Sequence, residues 1–149
     1  MTSIPGNDDN SAGSVVIDSD TIIGLIHNDD ALHERCTKIL KFLKVNNSDI
    51  FAPYAIILEA ATTLAKDKMV KRPDLAAKLL KIYKNLGSPL EGKNEQTLTG
   101  DIYNPKTSKK NSPFDFYVLA CARANNIKTV FSFDSFYKKN GLILAEALL

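Results

Sequence analysis

Short apolar segments alternate with amphipathic stretches along most of the chain. The apolar segments predict strands at 14–18, 50–52, 128–133 and 142–144. Apolar residues at helical spacing predict helices at 21–27, at 54–66, from Pro73 to about Leu86 before Gly87, and from Ser112 to Asn125. A further helix is predicted to follow a cap at Asp29 or Asp30. The first strand is apolar without alternation, as expected in a parallel sheet covered on both faces. Strands and helices in this order indicate a parallel α/β sandwich.

The chain is most simply one domain preceded by a tail. Residues 1–13 are rich in Gly, Asn, Asp and Ser and are expected to be flexible, which leaves 14–149 as the domain. The stretch 87–112 is polar and interrupted by Gly and Pro. We expect part of it to be helical and part to be a basic loop.

Composition and charge exclude several classes of protein. Hydrophobic residues make up 44% and charged residues 24%, which is typical of a globular domain. A net charge of +2 barely argues for nucleic acid, but 16 of the 19 basic residues are Lys and they lie in clusters, including 106–110 and 138–139. With neither a secretory signal nor a membrane-spanning run, a cytoplasmic protein without membrane contact is expected. Cys36 and Cys121 are predicted to be buried free thiols.

Four acidic residues lie where a structural residue would be apolar. Asp18 ends the first predicted strand, Asp134 ends the strand TVFSF, and Glu59 lies alone in an uncharged helical stretch. Asp115 lies in the first turn of the helix FDFYVLACARA. Ligands of open parallel sheets lie beyond the carboxyl ends of the strands, so Asp18 and Asp134 are expected to face one crevice. Carboxylates brought together there repel and need a cation, and oxygen ligands select Mg²⁺ or Mn²⁺.

Each acid also has a purely structural interpretation. Asp18 is a candidate helix cap, as are its neighbours, and Asp134 is a candidate cap of the SFYKK turn. Ser112 and Asp115 complete the S-x-x-D pattern of a capping box. Glu59 could be an ordinary exposed helix residue. The ordered occurrence of all four acids favours a shared site.

The segments around these acids resemble the ordered motifs of the PIN-domain nucleases. They are VVIDSDTIIGLI, ILEAATTLA, SPFDFYVLACARANNI and TVFSFDSFYKKNGL, and together they extend over roughly residues 14–145. The last two are the most specific. In length the chain is most similar to the VapC-type toxin ribonucleases of that family.

The resemblance implies a three-layer α/β/α sandwich with a short central parallel sheet. It places the metal-binding, catalytic acids of the family on a set of four residues: Asp18, Glu59, Asp115 and Asp134. The supporting small or polar positions fall on Ser19, Asp20 and Ser132. Asp20 departs from the family pattern, which commonly has a small residue such as Asn or Ser there. It either caps the following helix or adds negative charge to the site.

The resemblance also implies a function. The implied activity is that of an endoribonuclease that depends on Mg²⁺ or Mn²⁺ and hydrolyses RNA phosphodiesters. The implied biological role is that of the toxin of a toxin–antitoxin pair. A small antitoxin protein and a homodimer are the expected partners. Lysines that could follow the RNA backbone, or simply form a solvated surface, are Lys109, Lys110, Lys138 and Lys139.

Two alternatives remain open at this point. The residues Asp18-Ser19-Asp20-Thr21 match the D-x-D-[TV] start of haloacid-dehalogenase-like phosphatases, in which the first Asp is a covalent nucleophile. The chain lacks the downstream GDxxxD pattern of that class. The second alternative is a catalytically silent PIN domain that binds RNA or protein.

Overall fold

Four parallel strands form the centre of the fold. The computed structural model describes residues 13–84, 91–107 and 110–149. The strands are β1 (Ser14–Ile17), β2 (Asp49–Phe51), β3 (Thr129–Phe131) and β4 (Ile143–Leu144). Their order in the sheet is β2-β1-β3-β4, and every pairing is parallel. The predicted parallel sheet is therefore confirmed.

Helices connect these strands. They are α1 (Ser19–Ile26), α2 (His33–Val45), α3 (Tyr54–Lys66), α4 (Pro73–Tyr83), α5 (Lys93–Ile102), α6 (Pro113–Ala124) and α7 (Ser135–Lys139), and a 3₁₀ helix spans Ala145–Leu148. No helix in the described ranges is both long and apolar enough to cross a bilayer.

The sheet is covered on both faces. Val15, Val16 and Ile17 are all buried in β1, and all three residues of β3 are buried as well. Because successive side chains of a strand point to opposite faces, uninterrupted burial requires packed helices on each side. The predicted α/β/α sandwich is confirmed.

Several predicted boundaries were wrong by a few residues. The helix α1 begins at Ser19 and not at residue 21, because Asp18 accepts a hydrogen bond from the Ser19 N–H and is the N-cap. The helix α2 begins at His33. Asp30 does not cap it but accepts a hydrogen bond from the N–H of Leu32 in the preceding turn.

Other boundaries agree more closely. The helix α3 has the predicted bounds, and α6 follows Ser112 as predicted. The helix α4 begins at Pro73 as predicted but ends at Tyr83, short of residue 86. The proposed stop at Gly87 lies outside the described residues, as does most of the predicted N-terminal tail. The helical part of 87–112 is α5.

Candidate metal-dependent nuclease site

Asp18 is held at the carboxyl end of β1 by hydrogen bonds, one donated by its backbone and three accepted by its side chain. Its backbone N–H donates to the Phe131 carbonyl at 3.1 Å, and the residue is only 4% exposed. Oδ1 accepts from the Ser19 N–H at 2.7 Å. Oδ2 accepts from the hydroxyls of Ser132 at 3.1 Å and Tyr137 at 2.9 Å. A carboxylate has about four acceptor positions, so a lone pair on Oδ1 remains available to a cation.

Ser132 and Asp134 follow β3, beside Asp18. Ser132 Oγ donates to Asp18 and also accepts from the N–H of Asp134 at 3.1 Å. Asp134 Oδ1 accepts from the N–H of Phe136 at 2.9 Å and so caps α7. The two strand ends therefore bring Asp18 and Asp134 to the same edge of the sheet, as the topology predicted.

Asp115 lies across from this edge in the first turn of α6. Its Oδ2 accepts from the N–H of Ser112 at 2.9 Å. Asn111 Nδ2 lies 3.4 Å from Oδ2 of Asp115 and also 3.4 Å from Oδ2 of Asp134. Asn111 thus links the acid of α6 to the acid that follows β3.

The capping interpretation and the site interpretation are both compatible with this geometry. Asp18, Asp115 and Asp134 each accept a backbone N–H at the start of a helix. Each cap uses one carboxylate oxygen, so the second oxygen can make other contacts. Capping fixes the side-chain conformation, which is an advantage for a residue that must hold its position in a site.

Glu59 and Asp20 complete the group, and both are half-buried. Burial raises the pKa of Glu59, the charges of Asp115 and Asp20 raise it further, and a Ser19 side-chain hydrogen bond opposes the rise. Asp20 lies in the first turn of α1 and is not its cap. Burial raises the pKa of Asp20, and the charges of Asp134 and Asp115 add to the rise. The Asp20 carboxyl therefore lies near enough to the other acids to interact with them electrostatically.

The acidic cluster, defined as Asp18, Asp20, Glu59, Asp115 and Asp134, lacks charge compensation in the contacts described. Burial and the Asp20 charge raise the pKa of Asp18 to about 8. Burial, followed by the Asp134 charge, raises the pKa of Asp115. In the described ranges the salt bridges are Arg35–Glu146 and Arg72–Asp74, and neither includes a cluster acid. Oxygen ligands whose negative charges disfavour one another suit a hard divalent cation.

The acids are near one another without forming a closed set of ligands. Within the described part of the chain, no group of three or more His, Cys, Asp or Glu side chains has an arrangement that could hold a metal ion. Several of the oxygens accept protein hydrogen bonds instead, as at Asp18 and Asp115. Cation binding would therefore require side-chain adjustment.

Two neighbours of the cluster were not found by sequence analysis. Tyr137 is fully buried, and its hydroxyl also faces Asp115, whose pKa it lowers. Asn111 belongs to the segment that sequence analysis left unassigned. Tyr137 lies three residues after Asp134, in the short helix that this acid caps, and this nearness in sequence was a usable signal for the first. No comparable signal marked Asn111.

The lysines predicted to contact RNA lie in different places. Lys110 is exposed and adjacent to Asn111, while Lys109 lies outside the described residues. Lys138 and Lys139 are exposed on α7. Lys138 also lines a groove of about 380 Å³ with residues of β4 and the 3₁₀ helix.

Comparisons with known proteins agree with the fold. The family model described as the PIN domain matches residues 15–141. The crystal structure of VapC20 from Mycobacterium tuberculosis, described as a toxin that cleaves the sarcin–ricin loop, is similar with a TM-score of 0.68 and 14% sequence identity. That similarity covers 87% of this chain and 96% of VapC20. No curated protein sequence matches. Because the PIN model matches most of the chain, this protein belongs to the PIN-domain family.

Proposed function

We propose that this PIN domain is a divalent-metal-dependent endoribonuclease of the VapC type, the toxin of a toxin–antitoxin pair. The observation that carries the proposal is the acidic cluster, in which charge repulsion and burial raise the pKa of four carboxylates. Such a cluster is destabilising when its carboxylates are charged and no cation binds them. Fold similarity to a toxin that cleaves RNA supports the choice of substrate class and biological role.

In this proposal Asp18 and Asp115 bind the cation directly, and Glu59 and Asp134 complete the site directly or through waters. Bound Mg²⁺ or Mn²⁺ supplies a water of lowered pKa and stabilises charge on the leaving oxygen. Ser132 and Tyr137 hold Asp18 in one orientation through their hydroxyl groups.

The remaining residues have supporting roles in the proposal. Asn111 keeps Asp115 and Asp134 together, and Asp20 raises the negative charge that attracts the cation. Exposed Lys110 beside Asn111 contacts the phosphate backbone of the RNA. A small antitoxin, a homodimer and a cytoplasmic location are further parts of the proposal.

The test is RNA cleavage by purified protein in Mg²⁺, Mn²⁺ or EDTA. The substrates are a mixed structured RNA pool and a sarcin–ricin loop hairpin, the target named for VapC20. We expect cleavage that requires metal and disappears in Asp115→Asn. The matched control is Asp49→Asn, which removes the same charge from an exposed position at the start of β2.

Other results would favour the alternatives. Hydrolysis of p-nitrophenyl phosphate without RNA cleavage would support the phosphatase alternative, in which Asp18 is the nucleophile. RNA binding without cleavage, unchanged or improved in Asp18→Asn, would support a catalytically silent binding domain. The match to the PIN model favours the nuclease over the phosphatase.

A further inference from the structure

Glu91, just before α5, accepts hydrogen bonds from two different helices. Its Oε2 accepts from the N–H of Tyr54 at 2.7 Å, and its Oε1 accepts from the N–H of Ala55 at 3.1 Å. Oε1 also accepts from the hydroxyl of Tyr117 at 2.9 Å. Tyr54 and Ala55 begin α3, whereas Tyr117 belongs to α6. One carboxylate therefore joins α3 to α6.

These are the two helices that carry Glu59 and Asp115. Glu59 lies about one and a half turns after Tyr54 on α3, and Asp115 lies about half a turn before Tyr117 on α6. A helix is rigid over such distances, so a contact that fixes both helices also fixes both acids. We propose that Glu91 is a positioning residue, which sets the separation of Glu59 and Asp115 by clamping α3 to α6. The inference rests on the proposed function, because that separation matters for cation binding.

The two helices need such a clamp because their acids repel. Glu59 and Asp115 are both carboxylates, and like charges disfavour a close approach of the helices α3 and α6 that carry them. The residue before α3 is Pro53, which makes no side-chain capping bond. Glu91 supplies the cap from a distant segment, and its negative charge is favourable at the N-terminus of a helix. Hydrogen bonds to a charged acceptor are also stronger than neutral ones.

Glu95 provides a matched control for this interpretation. Its Oε2 accepts from the N–H of Gly92 at 2.9 Å, and its Oε1 accepts from Asn125 Nδ2 at 3.1 Å, beyond the C-terminal end of α6. Glu91 and Glu95 therefore make similar contacts, because each caps a helix and each also binds a second side chain. For Glu91 that side chain belongs to α6, and for Glu95 it lies just beyond the end of α6. The hydrogen bonds described for Glu95 do not include α3. Loss of Glu95 should therefore lower stability without changing the separation of Glu59 and Asp115.

The experiment is a calorimetric Mn²⁺ titration of the full chain and its variants, with thermal unfolding of each in EDTA. Glu91→Ala should raise the dissociation constant for Mn²⁺ about tenfold, the lower end of the effect of residues that orient metal ligands. Glu91→Gln should have a smaller effect, because one oxygen can still accept from Ala55 and Tyr117. Tyr117→Phe alone should weaken Mn²⁺ binding. In a protein that already carries Glu91→Ala, it should cause no further weakening. Glu95→Ala should keep the wild-type dissociation constant within about twofold.

Three results would overturn the inference, and they are distinguishable. If Glu91→Ala binds Mn²⁺ as the wild type does while its melting temperature falls as in Glu95→Ala, Glu91 is only a structural cap and the proposed function stands. If the wild type binds no Mn²⁺ and cleaves no RNA, the proposed function fails and the role of Glu91 fails with it. Weaker Mn²⁺ binding in both the Glu91 and the Glu95 variants would also contradict the clamp, because it would indicate a general loss of structure.

Discussion

Replacing Asp18 with Asn is expected to stabilise the metal-free protein at neutral pH. The pKa of Asp18 rises from 3.8 to about 8 in the folded protein, mainly because the carboxylate is buried. Below about pH 4 the group is protonated in both states and contributes no pH dependence. Between about pH 4 and pH 8 the unfolded chain loses the proton while the folded protein keeps it, so the free energy of unfolding falls as pH rises.

The magnitude follows from the two pKa values. One pKa unit corresponds to about 1.4 kcal/mol, so at pH 7 the burial of Asp18 lowers stability by about 4 kcal/mol. Asn cannot ionise, and its amide can still accept from the Ser19 N–H and donate to the hydroxyls of Ser132 and Tyr137. Because the folded wild type already holds Asp18 protonated at pH 7, Asn replaces one neutral group with another. The amide must rearrange its hydrogen bonds to the two hydroxyls, so we expect a net gain of about 2–4 kcal/mol in the variant.

The assay is urea unfolding in EDTA from about pH 5 to about pH 8. The stability of the wild type should fall over this range, and the advantage of Asp18→Asn should be largest at the upper end. Asp49→Asn, at an exposed position, should follow the wild type. Mn²⁺ should remove most of the stability advantage of Asp18→Asn over the wild type, since about a hundredfold excess over the dissociation constant stabilises the binding protein by about 3 kcal/mol. Wild-type stability that is constant or rises with pH in EDTA would refute the reasoning.

Three further predictions concern the surroundings of the site and the core. Tyr137→Phe removes a hydroxyl that lowers the pKa of Asp18, so the acidic limb of the pH–rate profile should move up by about one unit, with little change in KM for RNA. Gly24→Ala should destabilise the protein by about 1–3 kcal/mol in urea unfolding, because a Cβ at residue 24 would lie 2.7 Å from Cys36 Sγ. Adding Cys36→Ala to this variant should recover part of the lost stability. Burial raises the pKa of both Cys36 and Cys121 to about 12, so mass spectrometry should find them alkylated by iodoacetamide only after unfolding.

The fold could be predicted where apolar periodicity was strong. The helix α3 was predicted to the residue, since Pro53 precedes it and the sequence AIILEAATTLA leaves few alternatives. The strands β1 and β3 were predicted from continuous apolar runs. The prediction for β1 was one residue too long because Asp18 belongs to the site, and the prediction for β3 also included Lys128, Ser132 and Phe133, which lie outside the strand. The helix α5 was not located, because in KNEQTLTGDI only Glu95 is buried and the apolar face is too weak to detect.

The acids of the site could be predicted because they lie at the ends of predictable elements. Asp18 and Asp134 follow strands, and the parallel topology brings such positions together whatever the loops do. Asp20 could not be assigned in advance, since its role depended on whether the helix began before or after it. The structure places Asp18 at the cap and Asp20 within the first turn.

The contacts that orient the acids could not be predicted. Tyr137 meets Asp18, and Glu91 meets Tyr54 and Tyr117, across long separations in sequence. Hydrophobic periodicity carries no information about which polar side chains meet in this way. These contacts become visible only after the helices are placed against one another.

The most direct test of the central claim, that the acidic cluster binds a catalytic divalent cation, is anomalous diffraction from crystals soaked in Mn²⁺. We expect anomalous density within about 2 Å of carboxylate oxygens of Asp18 and Asp115, and its loss in Asp115→Asn. Crystals that show no Mn²⁺ at the cluster, from a protein that still cleaves RNA in EDTA, would contradict the account.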